Sequence, residues 1–125
     1  MINFLLFNIG LFSHHPIDYE QKILKNFFHG LIKIKVKDIT IFATHLHPKD
    51  YLGSLKEVQE LISYIDPAEK TIITGDFNNT PYSYIYRMIK GDEFIDTFEA
   101  AGNGFGRTYD FKFFPLRIDF ILADE

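Results

Sequence analysis

Hydrophobic residues in the first half of the chain follow the spacing of strands. The continuous apolar run Ile2–Phe7 is typical of a strand that is buried on both faces. Over residues 31–37, isoleucine and valine alternate with lysine, which predicts a strand with one buried face and one solvated face. A tight turn at Lys37-Asp38 leads into residues 39–44, so the two segments are predicted to form a hairpin.

The segment Ser54–Ile65 is the clearest helix, because its apolar residues form a stripe with helical spacing. Ser54 and Glu57 have the spacing of a capping box, in which two side chains satisfy backbone N–H groups at a helix start. Asp66-Pro67 supplies the stop signal, because proline cannot continue a helix. An amphipathic helix is therefore predicted to follow the hairpin.

A second helix is predicted to begin with Thr80 as its N-cap and Pro81 at its first position, and to end at Gly91. Residues 94–101 predict another short helix, closed by Gly102. The remaining apolar segments predict two strands, Thr71–Thr74 and Arg117–Ala123. Strands separated by helices, together with one hairpin, predict an α/β (α+β) fold.

Composition narrows the setting of this fold. The chain shows no linker or repeat, so residues 1–125 are interpreted as a single domain or part of one. It contains no cysteine, which excludes thiolate metal sites, and no apolar stretch long enough to span a bilayer, so a cytoplasmic monomer is expected. Residues 1–62 hold seven basic and six acidic side chains, and residues 63–125 hold six and eleven. This acidic second half suits a divalent cation and does not support a nucleic-acid partner.

Polar residues end or interrupt three of the predicted strands. The motifs are Thr44-His45-Leu46, Gly75-Asp76-Phe77-Asn78 and Arg117-Ile118-Asp119-Phe120. Each has a structural interpretation: His45 as a hydrogen-bonded histidine, the second motif as a simple turn, and Asp119 as a buried carboxylate paired with Arg117. Strand ends also hold polar groups in a fixed geometry, so the same motifs are candidates for a functional site.

Together and in this order, the three motifs resemble the endonuclease/exonuclease/phosphatase superfamily. That group includes DNase I-like nucleases, abasic-site endonucleases, neutral sphingomyelinases and inositol-phosphate phosphatases. Asn79-Thr-Pro81 and Gly106-Arg-Thr-Tyr109 fit the same pattern, and the resemblance runs from about Phe12 to Glu125. It implies part of a four-layer α/β/β/α sandwich and a metal-dependent hydrolase of phosphodiester or phosphomonoester bonds.

The resemblance also implies a role for each candidate residue. Asp76 would position or deprotonate the attacking water and contact the metal ion, and Asn78 would donate its amide to a phosphoryl oxygen and join the metal site. His45 would hydrogen-bond the phosphate or protonate the leaving group. Asp119 resembles the carboxylate that orients the family's second histidine. Oxygen ligands of this kind imply Mg²⁺ or Mn²⁺ as the cofactor.

Two motifs of the family have no counterpart in the chain. They are a metal-binding Glu before the Thr-His-Leu motif and a Ser-Asp-His motif after the Arg-Ile-Asp strand. Leu11–Ile17 matches a segment from the middle of the family's domain, so an incomplete domain with impaired activity is expected. Glu20 is a weak substitute for the missing Glu, and the candidates for the work of the missing histidine are His14, His15 and His47.

Two other functions are compatible with these residues. One is a catalytically inactive module that binds phosphate through His45 and Asn78. The other is an interaction domain in which the motifs only satisfy buried polar groups. The substrate is a phosphoester whose identity the sequence does not indicate, because the loops show no diagnostic basic or aromatic cluster.

Overall fold

The computed structural model describes residues 4–6, 9–23, 30–48 and 51–125 of the chain. The strands are β1 (Phe4–Leu6), β2 (Ile9–Leu11), β3 (Asp18–Ile23), β4 (Gly30–Val36), β5 (Ile39–His45), β6 (Lys70–Asp76), β7 (Phe94–Asp96), β8 (Tyr109–Phe111), β9 (Phe114–Leu116) and β10 (Asp119–Asp124). The helices are α1 (Tyr51–Ser63), α2 (Tyr84–Lys90) and α3 (Thr97–Ala101). The α/β fold class is confirmed.

Six strands form the central sheet, in the order β3-β4-β5-β6-β10-β7. The β5–β6 pair is parallel and is connected through α1, whereas the other neighbouring strands are antiparallel. The predicted hairpin is confirmed as β4–β5, with Val36 opposite Ile39 beside the turn. Because β5, β6 and β10 are consecutive in the sheet, the strands that carry the three motifs lie side by side.

Helices α1 and α2 cover one face of this sheet. Their apolar side chains and those of the central strands form one buried cluster, which includes Phe42, Ile73, Phe120 and Leu122 from the sheet and Val58, Leu61, Ile85 and Ile89 from the helices. Side chains alternate between the two faces of a strand, so Ile41, Ile72 and Ile121 lie on the opposite face. Ile121 is 53% exposed there.

Helix α1 begins at Tyr51, so the predicted capping box is wrong. Ser54 and Glu57 lie inside the helix and are buried. Ser54 Oγ donates to the carbonyl oxygen of His47 (2.9 Å), and Glu57 Oε2 accepts the N–H of His47 (2.9 Å). The two polar side chains therefore fasten the connection between β5 and α1, a role that spacing along the chain does not distinguish from capping.

Helix α2 has Ser83 as its N-cap, so the predicted start at Thr80 is also wrong. Ser83 Oγ accepts the N–H of Tyr86 (3.0 Å), whereas the carbonyl of Thr80 accepts the N–H of Ser83 in the turn before the helix. Serine caps as well as threonine does, and the Thr-Pro pair forms this turn instead. The predicted end at Gly91 is confirmed, and its N–H donates to the carbonyl of Arg87.

The helix predicted over residues 94–101 divides at Asp96. Phe94–Asp96 forms the strand β7, which pairs with β10 at the edge of the sheet. The carboxylate of Asp96 then caps α3 by accepting the N–H groups of Phe98 (3.0 Å) and Glu99 (3.3 Å). The edge pairing is a long-range contact, which local spacing does not predict.

Other differences concern short strands. The sequence pattern does not predict β3, which is polar, or the β8–β9 hairpin, whose turn places Lys112 and Phe113 at positive φ without glycine. Of the strand predicted over Ile2–Phe7, residues 4–6 form β1, and the others lie outside the described residues. In the described part of the chain, no helix has the length and apolar character needed to cross a membrane.

Candidate active site

Three of the four predicted site residues lie side by side at one end of the central strands. His45 is the register partner of Asp76 in the β5–β6 pair, and Asp119 is the partner of Asp76 in the β6–β10 pair. Residues paired in this way point to the same face of a sheet. We call His45, Asp76 and Asp119 the acidic row. Three segments that are distant in sequence thus place their polar groups next to one another.

The acidic row is partly open to solvent. His45 Nε2 lies 3.6 Å from Asp76 Oδ2, and the two side chains are 25% and 32% exposed. Asp119, at the first position of β10, is exposed. The structural interpretation of Asp119 as a buried carboxylate is therefore wrong, because its side chain is exposed at the start of β10. The row is accessible to a ligand from solution.

Gly75 allows β6 to approach β5 just before the acidic row. It has a φ of +144°, and a Cβ atom there would lie 1.8 Å from the carbonyl oxygen of Thr44. A larger residue would push the two strands apart and would strain the backbone. The glycine of the second motif thus has a structural reason, which is to keep His45 and Asp76 in register.

Asn78 lies in the turn that follows β6. Its N–H donates to Asp76 Oδ1 (2.8 Å), and its φ of +48° is a left-handed conformation that asparagine tolerates. Asn78 Nδ2 donates to the carbonyl of Leu46 (2.7 Å), whose N–H in turn donates to the carbonyl of Asp76 (2.9 Å). The motif is therefore a turn, as the structural interpretation holds, and this turn also orients Asp76. The bond to Leu46 uses one of the two amide hydrogens of Asn78.

The carboxyl group of Asp76 has a perturbed pKa. Burial raises the pKa above its ordinary range, and the negative charge of Asp119 raises it further. The hydrogen bond from the N–H of Asn78 and the nearby imidazole of His45 act in the opposite direction without cancelling the shift. Asp76 thus holds a proton more readily than an exposed carboxylate, which suits a group that takes a proton during a reaction.

The donor atoms of the row suit a hard divalent cation. Two neighbouring carboxylates are the oxygen ligands that Mg²⁺ and Mn²⁺ take, and a cation between them would relieve the repulsion that raises the pKa of Asp76. Within residues 9–23, 30–48 and 51–125, however, no three His, Asp or Glu side chains converge as a metal-binding group. Asp76 and Asp119 therefore fit such an ion as a partial ligand set.

Comparison with known proteins identifies the family of the chain. The sequence profile of the Endonuclease/Exonuclease/phosphatase family matches residues 7–125. The chain belongs to this family. A comparison with curated proteins gives no match.

Solved structures share the fold of this family member. The endonuclease/exonuclease/phosphatase from Beutenbergia cavernae has a TM-score of 0.68 at 21% identity, over 90% of this chain and 39% of that one. The corresponding protein from Bacteroides vulgatus has a TM-score of 0.62 at 20% identity, over 86% and 53%. The human Nocturnin catalytic domain with bound sulfate anion has a TM-score of 0.61 at 15% identity, over 86% and 47%. The chain thus spans about half, or less, of the length of these structures.

Glu20, the weak substitute for the missing Glu, lies away from the acidic row in this family member. It lies on β3 opposite Lys33, which is opposite Phe42 on β5, so it is two strands and three residues from His45. Ideal strand spacing makes that separation about 14 Å. Phe42 also belongs to the buried cluster on the helix-covered face, whereas His45, three residues along the strand, faces the opposite side. The negative charge of Glu20 accordingly contributes to the raised pKa of Tyr64, the residue that follows α1.

The three histidines that were candidates for the work of the missing histidine lie outside the acidic row. His14 and His15 are exposed in the bend between β2 and β3, where Ser13 Oγ accepts the N–H of His15 (3.1 Å). His47 follows the row on the chain, and its backbone N–H and carbonyl are held by Glu57 and Ser54. None of the three belongs to a register pair with Asp76.

A second polar cluster, which the sequence pattern does not predict, explains why Arg117 does not pair with Asp119. Arg117 Nη1 donates to both carboxylate oxygens of Asp96 (3.0 and 2.7 Å), and Tyr86 Oη donates to Asp96 Oδ2 (2.7 Å). Arg117 precedes β10, and its guanidinium lies over the ring of Phe120 (4.8 Å), on the helix-covered face. We call Tyr86, Asp96 and Arg117 the arginine cluster. In the sequence Asp96 falls inside the helix predicted over residues 94–101, so the pattern does not mark it as a cap or as a partner of Arg117.

Proposed function

We propose that the acidic row and the Asn78 turn form part of the site of a divalent-metal-dependent phosphoester hydrolase. The observation that carries the proposal is the register that aligns His45, Asp76 and Asp119 at one edge of the sheet. Family membership supports it, because the family includes nucleases and phosphatases. Proteins with the same fold include a mannosyl-6-phosphatase from Bacteroides thetaiotaomicron and an AP endonuclease from Archaeoglobus fulgidus.

Each side chain has a task in this proposal. Asp76, whose pKa is raised, accepts a proton from the attacking water. His45, beside it, donates a hydrogen bond to a phosphoryl oxygen or, when protonated, gives a proton to the leaving oxygen. Asn78 offers its second amide hydrogen to the phosphoryl group as negative charge builds there. Asp76, with Asn78 or Asp119 as a further oxygen ligand, would hold a divalent cation, which would neutralise charge at the phosphate.

The rate is expected to be low for these 125 residues alone, and we include that in the proposal. The row contains one imidazole, and loss of one general acid or base typically lowers the catalytic rate by about 10²–10⁴-fold. Asp119 then contributes charge, since no imidazole pairs with it in the register of β10. We also propose that the protein acts as a cytoplasmic monomer, as its composition predicts.

A second candidate function is a phosphate-binding module without turnover. The observation that favours it is that the described residues bring together no complete group of metal ligands. In that case Mg²⁺ and inorganic phosphate still bind at the row, through Asp76, His45 and Asn78, but no hydrolysis follows.

Hydrolysis of bis(p-nitrophenyl) phosphate and p-nitrophenyl phosphate, with Mg²⁺ or Mn²⁺ and with chelator, tests the first function. We expect slow, metal-dependent release of nitrophenol that falls at least about tenfold in Asp76→Asn. Asp92→Asn, an exposed acid outside the row, is the matched control and should keep full activity. Hydrolysis that survives both chelation and Asp76→Asn would show that the site lies elsewhere.

Calorimetric titration separates the two functions. Binding of Mg²⁺ and phosphate that depends on Asp76, without any hydrolysis, would support the phosphate-binding module. If Asp76→Asn and Asp92→Asn bind Mg²⁺ as the unmodified chain does, both functions are excluded for the acidic row.

A further inference from the structure

One face of the β8–β9 hairpin consists of apolar and aromatic side chains. Two of its three register pairs lie on this face, and their members are Tyr109, Leu116, Phe111 and Phe114. The third pair, Asp110 and Pro115, lies on the opposite face. An antiparallel pair with this pattern commonly packs its apolar face on a core. Here the hairpin does not.

The apolar face of the hairpin is largely open to solvent. Among the described strands, β8 and β9 pair only with each other. Tyr109 is 50%, Phe111 48% and Phe114 69% exposed, and Phe113 in the turn is fully exposed. At about 200 Å² per ring, these four side chains expose roughly 500 Å² of surface. A patch of this size equals the largest apolar patch of a typical monomer, and such patches are often functional.

The turn of the hairpin has a strained backbone. Lys112 and Phe113 have φ angles of +43° and +77°, so both central residues of a two-residue turn are in the left-handed region. Asparagine and glycine adopt this turn easily, whereas a bulky residue does so at a cost in free energy. The chain thus exposes a phenylalanine and a lysine where other residues would stabilise the turn. Retained strain of this kind is typical of functional positions.

The base of the hairpin is fastened to the central sheet. The N–H of Thr108 donates to the carbonyl of Leu116 (2.8 Å), which closes the base. Thr108 Oγ1 accepts the N–H groups of Ile118 (3.1 Å) and Asp119 (3.2 Å), where β10 begins. Because these bonds fix the base before any partner arrives, less entropy is lost when the hairpin binds.

The charge of the hairpin differs from that of the chain around it. Residues 100–116 hold two basic side chains and one acidic side chain, whereas the rest of residues 63–125 hold four and ten. The one acid, Asp110, lies on the polar face, with its Oδ1 3.6 Å from Arg107 Nη1. Lys112 Nζ lies 5.4 Å from the centroid of the Phe111 ring, at the turn. An anionic surface would therefore attract the turn and repel the acidic remainder, which orients the hairpin toward that surface.

These features favour a lipid surface over other large partners. Nucleic acid is a poor partner, because contact with a polyanion depends on many basic side chains. A protein interface of standard size buries about 800 Å² on each partner, whereas the rings of the hairpin offer roughly 500 Å². At a membrane surface, aromatic rings lie at the headgroup level and lysine contacts anionic headgroups. The hairpin has this order, with Lys112 and Phe113 in the turn and Tyr109 at the base.

We propose that the β8–β9 hairpin is a membrane-binding element whose aromatic turn enters the interface of an anionic lipid bilayer. Phe111 and Phe113 enter the boundary between headgroups and acyl chains, and Lys112 contacts an anionic headgroup. Binding is shallow, because a two-stranded hairpin has backbone N–H and C=O groups along its edges that need water or headgroups as partners. The inference does not rest on the proposed function, since no residue of the acidic row takes part.

A single tryptophan tests the inference, because the chain contains no tryptophan of its own. Phe113→Trp is the reporter. Tyr19→Trp is the control, since Tyr19 is 41% exposed on β3, at the other edge of the central sheet. Vesicles of equal parts phosphatidylcholine and phosphatidylserine should shift the emission of the reporter to shorter wavelength, and brominated acyl chains should quench it. The emission of the control should stay as it is in buffer.

Cosedimentation with the same vesicles measures the affinity. Phe113→Ala should weaken binding by about tenfold or more, the loss expected when one phenyl ring no longer leaves water. Phe12→Ala is the matched control, because Phe12 is 69% exposed outside the hairpin, and it should bind as the unmodified chain does. Lys112→Gln should weaken binding to the anionic vesicles about fivefold and leave binding to pure phosphatidylcholine unchanged.

Three results would overturn the inference. The first is that the unmodified chain does not bind the anionic vesicles, and the second is that the two tryptophan reporters respond alike. The third is self-association without vesicle binding, measured by sedimentation velocity and abolished by Phe113→Ala, which would make a second copy of the chain the partner. Asp76→Asn should bind vesicles as the unmodified chain does, so the outcome for the hairpin is independent of the outcome for the acidic row.

Discussion

Asp76 and Asp96 are two carboxylates that the fold treats in opposite ways. The side chain of Asp96 is 0% exposed and that of Asp76 is 32% exposed, yet the pKa of Asp96 is lowered and that of Asp76 is raised. Burial acts to raise the pKa of both groups. At Asp96, hydrogen bonds from Tyr86 and Arg117 outweigh burial, whereas at Asp76 the charge of Asp119 adds to it.

The comparison shows that partners, and not burial alone, determine the charge state of a carboxylate in this protein. The arginine cluster gives its acid a bidentate cation and a hydroxyl, so the ionised form is stabilised in the fold. The acidic row places a second acid beside the first. Such an arrangement costs stability and is typical of sites where a cation or a proton binds. The arginine cluster supports the fold, whereas the acidic row retains a repulsion between two carboxylates that a bound cation or proton would relieve.

The largest effect is expected from Arg117→Met. This change leaves Asp96 buried without its cation, and breaking a buried ion pair on one side costs about 3–5 kcal/mol. Urea denaturation measures the free energy of unfolding. Arg107→Met is the control, because that side chain is 63% exposed and its replacement should change the free energy of unfolding little. If the variant does not fold, Arg117→Lys keeps the charge and should be destabilised less. Equal stability of Arg117→Met and the unmodified chain would contradict the role of the cluster.

A smaller loss is expected from Tyr86→Phe, which removes the hydroxyl that donates to Asp96 Oδ2 (2.7 Å). A hydrogen bond to a charged group contributes about 1.5–3 kcal/mol. Tyr84→Phe is the matched control, since Tyr84 is 53% exposed on the same helix. Thermal denaturation measures the difference between the two variants.

The pH dependence of Tyr86→Phe has a definite sign. The folded pKa of Asp96 is lowered, so the stability that its ionised form contributes is present above the unfolded value, near 4, and is lost as the pH falls through the folded value. The gap between Tyr86→Phe and the unmodified chain should therefore narrow in acid. A gap that widens as the pH falls would mean that the hydroxyl stabilises the protonated carboxyl.

The smallest effect, and one of opposite sign, is expected from Asp76→Asn. It removes the repulsion with Asp119 while the amide oxygen can still accept the N–H of Asn78, so the variant should be more stable at neutral pH. A rise of roughly 2 °C in Tm corresponds to about 0.5 kcal/mol in a domain of this size. The folded pKa of Asp76 is raised, so this advantage should be present above that pKa and disappear below the unfolded value.

Mg²⁺ sharpens the same comparison. Mg²⁺ bound to the row should raise the Tm of the unmodified chain more than that of Asp76→Asn. The difference in Tm between the two proteins should therefore shrink or change sign. Asp92→Asn, which changes an exposed acid outside the row, should respond to Mg²⁺ as the unmodified chain does. A lower Tm for Asp76→Asn at neutral pH without Mg²⁺ would show that Asp76 supports the fold, as Asp96 does.

The sequence by itself determined the parts of this protein that depend on neighbours along the chain. Alternation of apolar residues and lysines predicted the β4–β5 hairpin, which the structure confirms with Val36 opposite Ile39. Gly91 ends α2 as predicted, because glycine relieves the backbone at a helix end. The three polar motifs and their order were enough to indicate the family, since residue types and short spacings are written directly in the chain.

Only the tertiary structure decided which groups meet. Ser54 and Glu57 have capping-box spacing, but they bond to His47, because the end of β5 packs against α1. Arg117 is two residues from Asp119, but it turns to the other face of the sheet and pairs with Asp96. Local patterns specify whether a segment forms a helix or a strand, but they do not specify which distant segment it contacts. The strand order β5-β6-β10 determines which residues become neighbours, and it places His45, Asp76 and Asp119 in one row.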